Sequence, residues 1–154
     1  MELSSGKLLS VAWAYHMASG KTLPTPYAVS EEGVHFGASR FSKPQQTGFL
    51  GQTAKLLALP GDRVLCVYRR VDRPGLWGEL AEIREGVWQK NAESCLWSGG
   101  PAGMEGKTNT SDELAALKFG FPSLSLLPNG EILVVFWCEE EGIQNIRWLR
   151  LEGV

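Results

Sequence analysis

The chain has 154 residues, of which 44% are hydrophobic and 21% are charged, the usual balance for a single globular domain. No apolar run approaches the roughly 20 residues of a membrane-spanning helix, and a formal net charge of −2 gives no electrostatic field that would attract nucleic acid. The 18 glycines, eight prolines and six tryptophans indicate many turns and large packed rings, which favours an all-β fold.

Three further sequence features predict that the protein has no disulfide framework, no cofactor and no signal peptide. Cys66, Cys95 and Cys138 are an odd number of thiols in or beside apolar runs, which predicts buried free thiols and no disulfide framework. His16 and His35 have no second His or Cys at ligand spacing, so neither a metal nor another cofactor is expected. The first residues lack a basic segment followed by a long apolar core, which predicts a cytoplasmic protein without a signal peptide.

A sequence repeat organises the chain. Residues 53–67 (TAKLLALPGDRVLCV) and 121–135 (FPSLSLLPNGEILVV) align without a gap. Each segment reads as an apolar strand, a tight turn and a second apolar strand, and the turns Pro60-Gly61-Asp62 and Pro128-Asn129-Gly130 suit positive φ angles. Residues 6–14 (GKLLSVAWA) repeat the second strand, with Leu8-Leu9 aligned on Val64-Leu65, but lack the first. The repeat predicts β-hairpins.

Further strands follow each copy of the hairpin. Turns are predicted at residues 31–33 and 84–86, each between two strands, and residues 143–151 form the last strand. With the strands of a unit labelled A to D, the order is BCD, then ABCD, then ABC. Ten short antiparallel strands in three similar sheets are typical of propeller blades, whereas a β-sandwich need not repeat its hairpin. The predicted sheets cover residues 6–42, 50–98 and 119–152 of a single domain.

Residues 99–118 interrupt this pattern. The segment is rich in Gly and polar residues, and it is too long for an ordinary connection, which indicates a functional or mobile loop. Ser111, Asp112 and Glu113 precede a short apolar stretch with a late lysine, so one short helix is predicted inside the loop.

The strand sequences resemble a known family. KLLALPGDRVLCVYRR (55–70) and SLSLLPNGEILVVFW (123–137) resemble blades of the sialidase-like, BNR-repeat six-bladed β-propellers. VSEEGVHF (29–36) and IREGVW (83–88) resemble eroded Asp boxes, the Ser-x-Asp-x-Gly-x-x-Trp turns of that family. Because the chain holds about three blades where the family has six, the resemblance implies a homodimer that completes the propeller. The alternative is an open arc that buries its strand edges differently.

The same resemblance implies that sialidase catalysis is lost. In the family a tyrosine nucleophile, activated by a glutamate, attacks the sugar, and three arginines hold the substrate carboxylate. Phe121 stands at the tyrosine position and Thr53, beside Gln52, at the glutamate position, while Arg69 matches one of the arginines. The implied function is a carbohydrate-binding or polar-ligand-binding scaffold with no catalytic residue assigned. The alternative is a glycoside hydrolase that uses other acids of the cleft, such as Asp72 or Glu139.

In a propeller of this type the B–C and D–A connections meet at one end of the central channel. The residues predicted to bind a carbohydrate or an acidic small molecule there are Tyr15, His16, Gln52, Arg69, Arg70, Asp72, Trp77, Trp137 and Glu139, with Phe121 and Glu140 nearby. Trp77 is the candidate for stacking on the ligand. Strand alternation places Arg69 and Arg70 on opposite faces, so only one arginine points along the channel. The alternative is that these charges form solvated ion pairs in loops.

The other strand tryptophans (Trp13, Trp88, Trp97 and Trp148) are expected to pack between the sheets.

Overall fold

The computed structural model describes residues 1–33, 41–70, 72–73, 75–98 and 119–154. All regular elements in these ranges are strands, which confirms the all-β prediction. The predicted strand after residue 33, His35, the loop at 99–118 and its short helix lie outside the described residues.

The described residues form twelve strands in four antiparallel groups, none of them closed. The first sheet has the order β1-β4-β5, the second β6-β7-β8-β9 and the third β10-β11-β12, and β2 pairs with β3 in a separate ribbon. The bounds are β1 (Lys7–Val11), β2 (Ala14–His16), β3 (Lys21–Leu23), β4 (Pro26–Gly33), β5 (Gln45–Gln46), β6 (Gly51–Leu59), β7 (Arg63–Arg70), β8 (Gly75–Arg84), β9 (Val87–Trp97), β10 (Phe119–Leu126), β11 (Ile132–Glu140) and β12 (Ile143–Leu151).

The second and third sheets contain the four and three strands expected from ABCD and ABC. The first sheet differs, because its third described strand is β5, whereas the strand predicted after residue 33 lies outside the described residues. The turn predicted at residues 31–33 is wrong, because β4 continues to Gly33, which pairs with Lys7. Pairing with β1 outweighs the local turn preference of this Glu-Glu-Gly segment. The sheet also extends to Gln46 instead of ending at residue 42. The ribbon of β2 and β3 was not predicted.

The predicted hairpin repeat is visible in the backbone. Gly61, Asp62 and Gly130 have φ angles of 76°, 55° and 83° at the two predicted turns. A β-bulge interrupts the ladder between Gln52 and Lys55, and a second one interrupts it between Gly120 and Ser123, at the equivalent place of the repeat. The repeat therefore includes an irregularity that alternation alone does not predict.

The second sheet lies between the other two and contributes to two cores. On β7 the side chains of Val64, Cys66 and Tyr68 face the first sheet, while Leu65 and Val67 face the third. This explains why β7 reads as a continuous apolar run, since both of its faces are buried. The first core also contains Leu9, Tyr27, Val29, Phe49, Ile83 and Trp88, and the second also contains Leu76, Phe119, Ile132, Val134, Phe136 and Cys138.

The tryptophan prediction holds for two of its four residues. Trp88 is buried in the first core, and Trp97 packs against Phe119 in the second, with ring centroids 5.1 Å apart. Trp13 and Trp148 are 52% and 62% exposed, so their predicted packing between sheets is wrong. Trp13 precedes the ribbon, and Trp148 lies on the outer face of the third sheet.

The three cysteines are free, as predicted, but they are not all buried. Cys66 and Cys138 are buried, whereas Cys95 is exposed. Cys95 lies on β9, the outer edge strand of the second sheet, where one side of the strand has no neighbour among the described residues. The burial prediction is therefore wrong for Cys95.

Candidate functional site

Arg69, near the end of β7, carries a buried positive charge. The residue is 7% exposed. Its Nη2 donates a hydrogen bond to Gln52 Oε1, and its Nη1 donates to the carbonyl oxygen of Phe119 at 3.5 Å. Burial lowers the pKa of its guanidinium. Within the described ranges no carboxylate forms an ion pair with Arg69, so its described acceptors are both neutral.

The strand register positions this side chain. Arg69 pairs with Gln52 across β6 and β7, and alternation turns it towards the third sheet. There it reaches the start of β10, whose Phe119 carbonyl accepts its second hydrogen bond. Arg70 faces the other way, towards Glu93 of β9. The prediction that the two arginines point to opposite faces is confirmed.

Gln52 connects Arg69 to the ribbon. The residue is 9% exposed, and its Nε2 lies 3.5 Å from Thr22 Oγ1, to which it donates. Thr22 pairs with Tyr15 across β2 and β3, so the ribbon lies beside the Arg69 end of the second sheet. Thr22 was not among the predicted site residues, because no strand pattern marked the ribbon in the sequence.

Gly120 brings a second donor close to Arg69. A Cβ atom on this residue would lie 3.6 Å from Trp137 Nε1 and 3.8 Å from Arg69 Nη1. The indole and the guanidinium therefore converge on the open space beside Gly120. Trp137 Nε1 donates no hydrogen bond within the part of the chain that the structure describes. Sequence reasoning found Trp137 but missed Gly120, whose role depends on contacts between sheets.

Two residues beside this site have a strained backbone. Thr53 and Phe121 have φ angles of 52° and 48°, in the left-handed region that side chains other than Gly, Asn and Asp rarely adopt. Thr53 Oγ1 is buried and has no hydrogen-bond partner in the described structure, whereas Phe121 is 66% exposed. These are the positions where the sialidase-like resemblance places the glutamate and the tyrosine.

Arg70 and Asp72 form a separate charged cluster. Arg70 Nε and Nη2 donate to the two oxygens of Asp72 at 2.7 and 3.0 Å, and Arg70 Nη1 donates to Glu93 Oε1. The hydrogen bonds from Arg70 lower the pKa of Asp72. Arg73 and Lys90 also pair with Glu93, at 3.0 and 3.1 Å. The ion-pair interpretation therefore describes Arg70 and Asp72 well, but it does not describe Arg69.

Trp77 belongs to this cluster and not to the surroundings of Arg69. Its Nε1 donates to the carbonyl oxygen of Arg73 at 2.9 Å. The guanidinium carbons of Arg70 and Arg73 lie over its ring, 4.9 and 4.5 Å from the ring centroid. These cations cover ring surface that the sequence prediction assigned to a ligand.

The remaining predicted site residues lie on the ribbon strand β2 and on β11. Tyr15 packs against Trp13 with ring centroids 5.5 Å apart, and His16 Nδ1 lies 2.6 Å from Ser19 Oγ. Glu139 is half-buried near the end of β11, opposite Gln144. Glu140, next to it, accepts a hydrogen bond from Arg147 Nε at 2.9 Å.

The described residues contain neither a cluster of metal ligands nor a membrane-spanning helix. No group of three or more His, Cys, Asp or Glu there could hold a metal ion. No helix in the same ranges is long and apolar enough to cross a membrane.

No family model, no curated protein and no solved structure matches the chain. The resemblance to sialidase-like propellers therefore stays a prediction from the residues quoted above. The geometry around Arg69 has to be interpreted from its own chemistry.

Proposed function

We propose that this chain is a binding module that holds an acidic ligand of the carbohydrate class at Arg69. The observation that carries the proposal is the buried guanidinium with only neutral described acceptors. A charge removed from water is costly unless it is paired. A ligand carboxylate can accept two parallel hydrogen bonds from a guanidinium, which would compensate the buried charge when the ligand binds.

The groups around Arg69 suit a sugar acid better than a simple anion. The Trp137 indole N–H lies beside the guanidinium, and the polar side chains of Gln52 and Thr22 continue away from it. Sites for small polar ligands combine apolar surface with a few converging polar groups. The carbohydrate class itself comes from the sialidase-like resemblance, under which the three sheets are blades of an incomplete propeller. Contact between β6 and β10 supports that arrangement.

Binding is favoured over hydrolysis. Phe121 has no hydroxyl and Thr53 has no carboxylate, so neither supplies the group that a sialidase needs at its position. A hydrolase would need an acid whose pKa is raised so that it can donate a proton. Arg70 lowers the pKa of Asp72 instead, and this carboxyl remains ionised at neutral pH.

The experiment is calorimetric titration with acidic sugars (sialic, glucuronic and galacturonic acid) and with neutral glucose and galactose. We expect the protein to bind an acidic sugar and to bind the neutral sugars at least about tenfold more weakly. Arg69→Lys should cost the acidic sugar about 1.5–3 kcal/mol, the range for hydrogen bonds to charged groups. Arg70→Lys is the matched control and should leave the affinity nearly unchanged. Equal losses from the two variants, or no acidic sugar bound at millimolar concentration, would overturn the proposal.

Gly120→Ala tests the geometry of the same site without removing a charge. The added methyl group would be in ordinary van der Waals contact with Trp137 and Arg69, so the fold should tolerate it. Because it occupies the point where the two donors converge, it should weaken the acidic sugar. An unchanged affinity would place the ligand elsewhere.

A further inference from the structure

Two sheet faces in the described chain are not covered by another sheet. One of them, here called the third-sheet face, consists of Leu133, Val135, Ile146 and Trp148, which lie outside both cores. Ile146 and Trp148 are 69% and 62% exposed. On the first sheet, the first-sheet face consists of Leu8, Ser10 and Ala28, which also lie outside both cores. The apolar exposure of the third-sheet face marks an interaction surface.

The repeat shows that the two uncovered faces correspond to opposite sides of a repeat sheet, one that packs on the following sheet and one that packs on the preceding sheet. In the second core, the face of the second sheet that carries Leu65 and Val67 packs against the face of the third sheet that carries Ile132 and Val134. In the repeat alignment Leu133 and Val135 are equivalent to Leu65 and Val67. The third-sheet face is therefore of the kind that packs against a following sheet.

The first-sheet face is of the complementary kind. In the first core, Leu9 of the first sheet packs with Val64 and Cys66 of the second. In the alignment of Leu8-Leu9 with Val64-Leu65, Leu8 and Ser10 are equivalent to Val64 and Cys66. The first-sheet face is thus the kind that a preceding sheet covers, and the chain carries both halves of a sheet–sheet contact that it already makes twice internally.

We propose that a second copy of this chain covers these faces, with the third-sheet face of each copy packed on the first-sheet face of the other. The two contacts are related by a two-fold axis, and together they use both free faces of each copy. Such an assembly closes at two copies. The inference does not depend on a ligand at Arg69.

The area of the faces is sufficient for a stable dimer. The strands of the third sheet have eight, nine and nine residues, and those of the first sheet have five, eight and two. At about 3.4 Å per residue and about 4.8 Å between strands, the third-sheet face covers about 400 Å² and the first-sheet face about 250 Å². The four faces of a dimer would then bury roughly 1,300 Å², within the range of specific protein interfaces.

The test is sedimentation velocity with light scattering on the full chain. We expect a species of twice the 16.9 kDa chain mass at micromolar concentration, with no larger polymers. Trp148→Lys and Ser10→Arg each place a charge on one of the two faces. Each variant should raise the dimer dissociation constant by at least about 30-fold, as expected for damage at the centre of an interface. Met17→Lys, at an 83% exposed ribbon position, is the matched control and should remain dimeric.

The pattern of outcomes separates the possible assemblies. A monomeric parent protein would overturn the proposal. Dissociation by Trp148→Lys with Ser10→Arg still dimeric would show a third-sheet face packed on its own copy, and would overturn the pairing proposed here. Because Ser10 and Trp148 are exposed, both variants should fold, and unchanged circular dichroism would verify this.

Discussion

Thr53 and Phe121 occupy equivalent positions of the repeat and adopt the same left-handed backbone conformation, with φ angles of 52° and 48°. Each lies in a β-bulge at the start of the first strand of a hairpin. Bulges often occur next to functional sites, where they redirect a side chain. Here one bulge follows Gln52 and the other follows Gly120, and both of these residues lie within reach of Arg69.

Thr53→Gly should stabilise the protein or leave its stability unchanged. A left-handed conformation costs an L-residue about 1–2 kcal/mol, and the substitution also removes the unpartnered Oγ1. The stability gained by removing this strain offsets the roughly 0.5–1 kcal/mol that glycine ordinarily costs in a strand. Ala54→Gly, at the next residue, should show the ordinary loss. Urea unfolding of both variants checks this, and equal losses would mean that the conformation at Thr53 is not strained.

Gln52→Glu should separate the stability of the fold from ligand binding. The new carboxylate would lie where Gln52 Oε1 now accepts the Arg69 hydrogen bond, so it would pair with the buried charge. We expect stability at neutral pH to be maintained or raised and the affinity for an acidic sugar to fall at least about tenfold, because the anion then meets a neutralised site. Calorimetry measures the affinity, and an unchanged value would exclude Arg69 as the anion-binding group.

Gln52→Met is the control for that experiment. Methionine has a similar size but cannot replace the amide oxygen, so one donor of Arg69 would lose its acceptor. The expected loss in the free energy of unfolding is about 1–3 kcal/mol, the cost of an unsatisfied buried donor. A variant as stable as the parent would show that water replaces Gln52.

Glu79→Gln should raise stability at neutral pH. Glu79 is 1% exposed, and its Oε1 accepts a hydrogen bond from Trp88 Nε1 at 2.6 Å. Burial raises its pKa, against the opposing effects of Trp88 and of Lys90. The folded protein therefore binds more protons than the unfolded chain, and stability falls as the pH rises from the ordinary glutamate range, about 4.3, through the raised folded value.

Glutamine keeps an oxygen acceptor for Trp88 but carries no charge. The free energy of unfolding should rise by about 1 kcal/mol at pH 7. This gain should shrink towards pH 4, where Glu79 is protonated in the parent. Thermal or urea unfolding across this range measures it. Glu79→Leu is the comparison, because it leaves the indole donor unpartnered and should lower stability at every pH. A gain from Glu79→Gln that is the same at pH 4 and pH 7 would contradict the raised pKa.

Local sequence patterns alone predict the all-β class, the strands of the second and third sheets and the turns of their hairpins. These features depend on local chemistry: alternating or continuous apolar runs, and Gly and Asp at positions such as Gly61 and Asp62 where φ is positive. Alternation along β7 was also sufficient to place Arg69 and Arg70 on opposite faces.

Which of the predicted polar residues meet depends on the packing between the sheets. Arg69, Gln52 and Trp137 come together because β10 packs beside β6 and because Gly120 leaves space between two donors. Arg70, Asp72 and Trp77 instead form a cluster of their own. No local pattern distinguishes these two sets, since contacts between sheets depend on packing across dozens of residues. For the same reason Trp148, on a strand like that of the buried Trp88, is exposed, since no sheet among the described residues covers it.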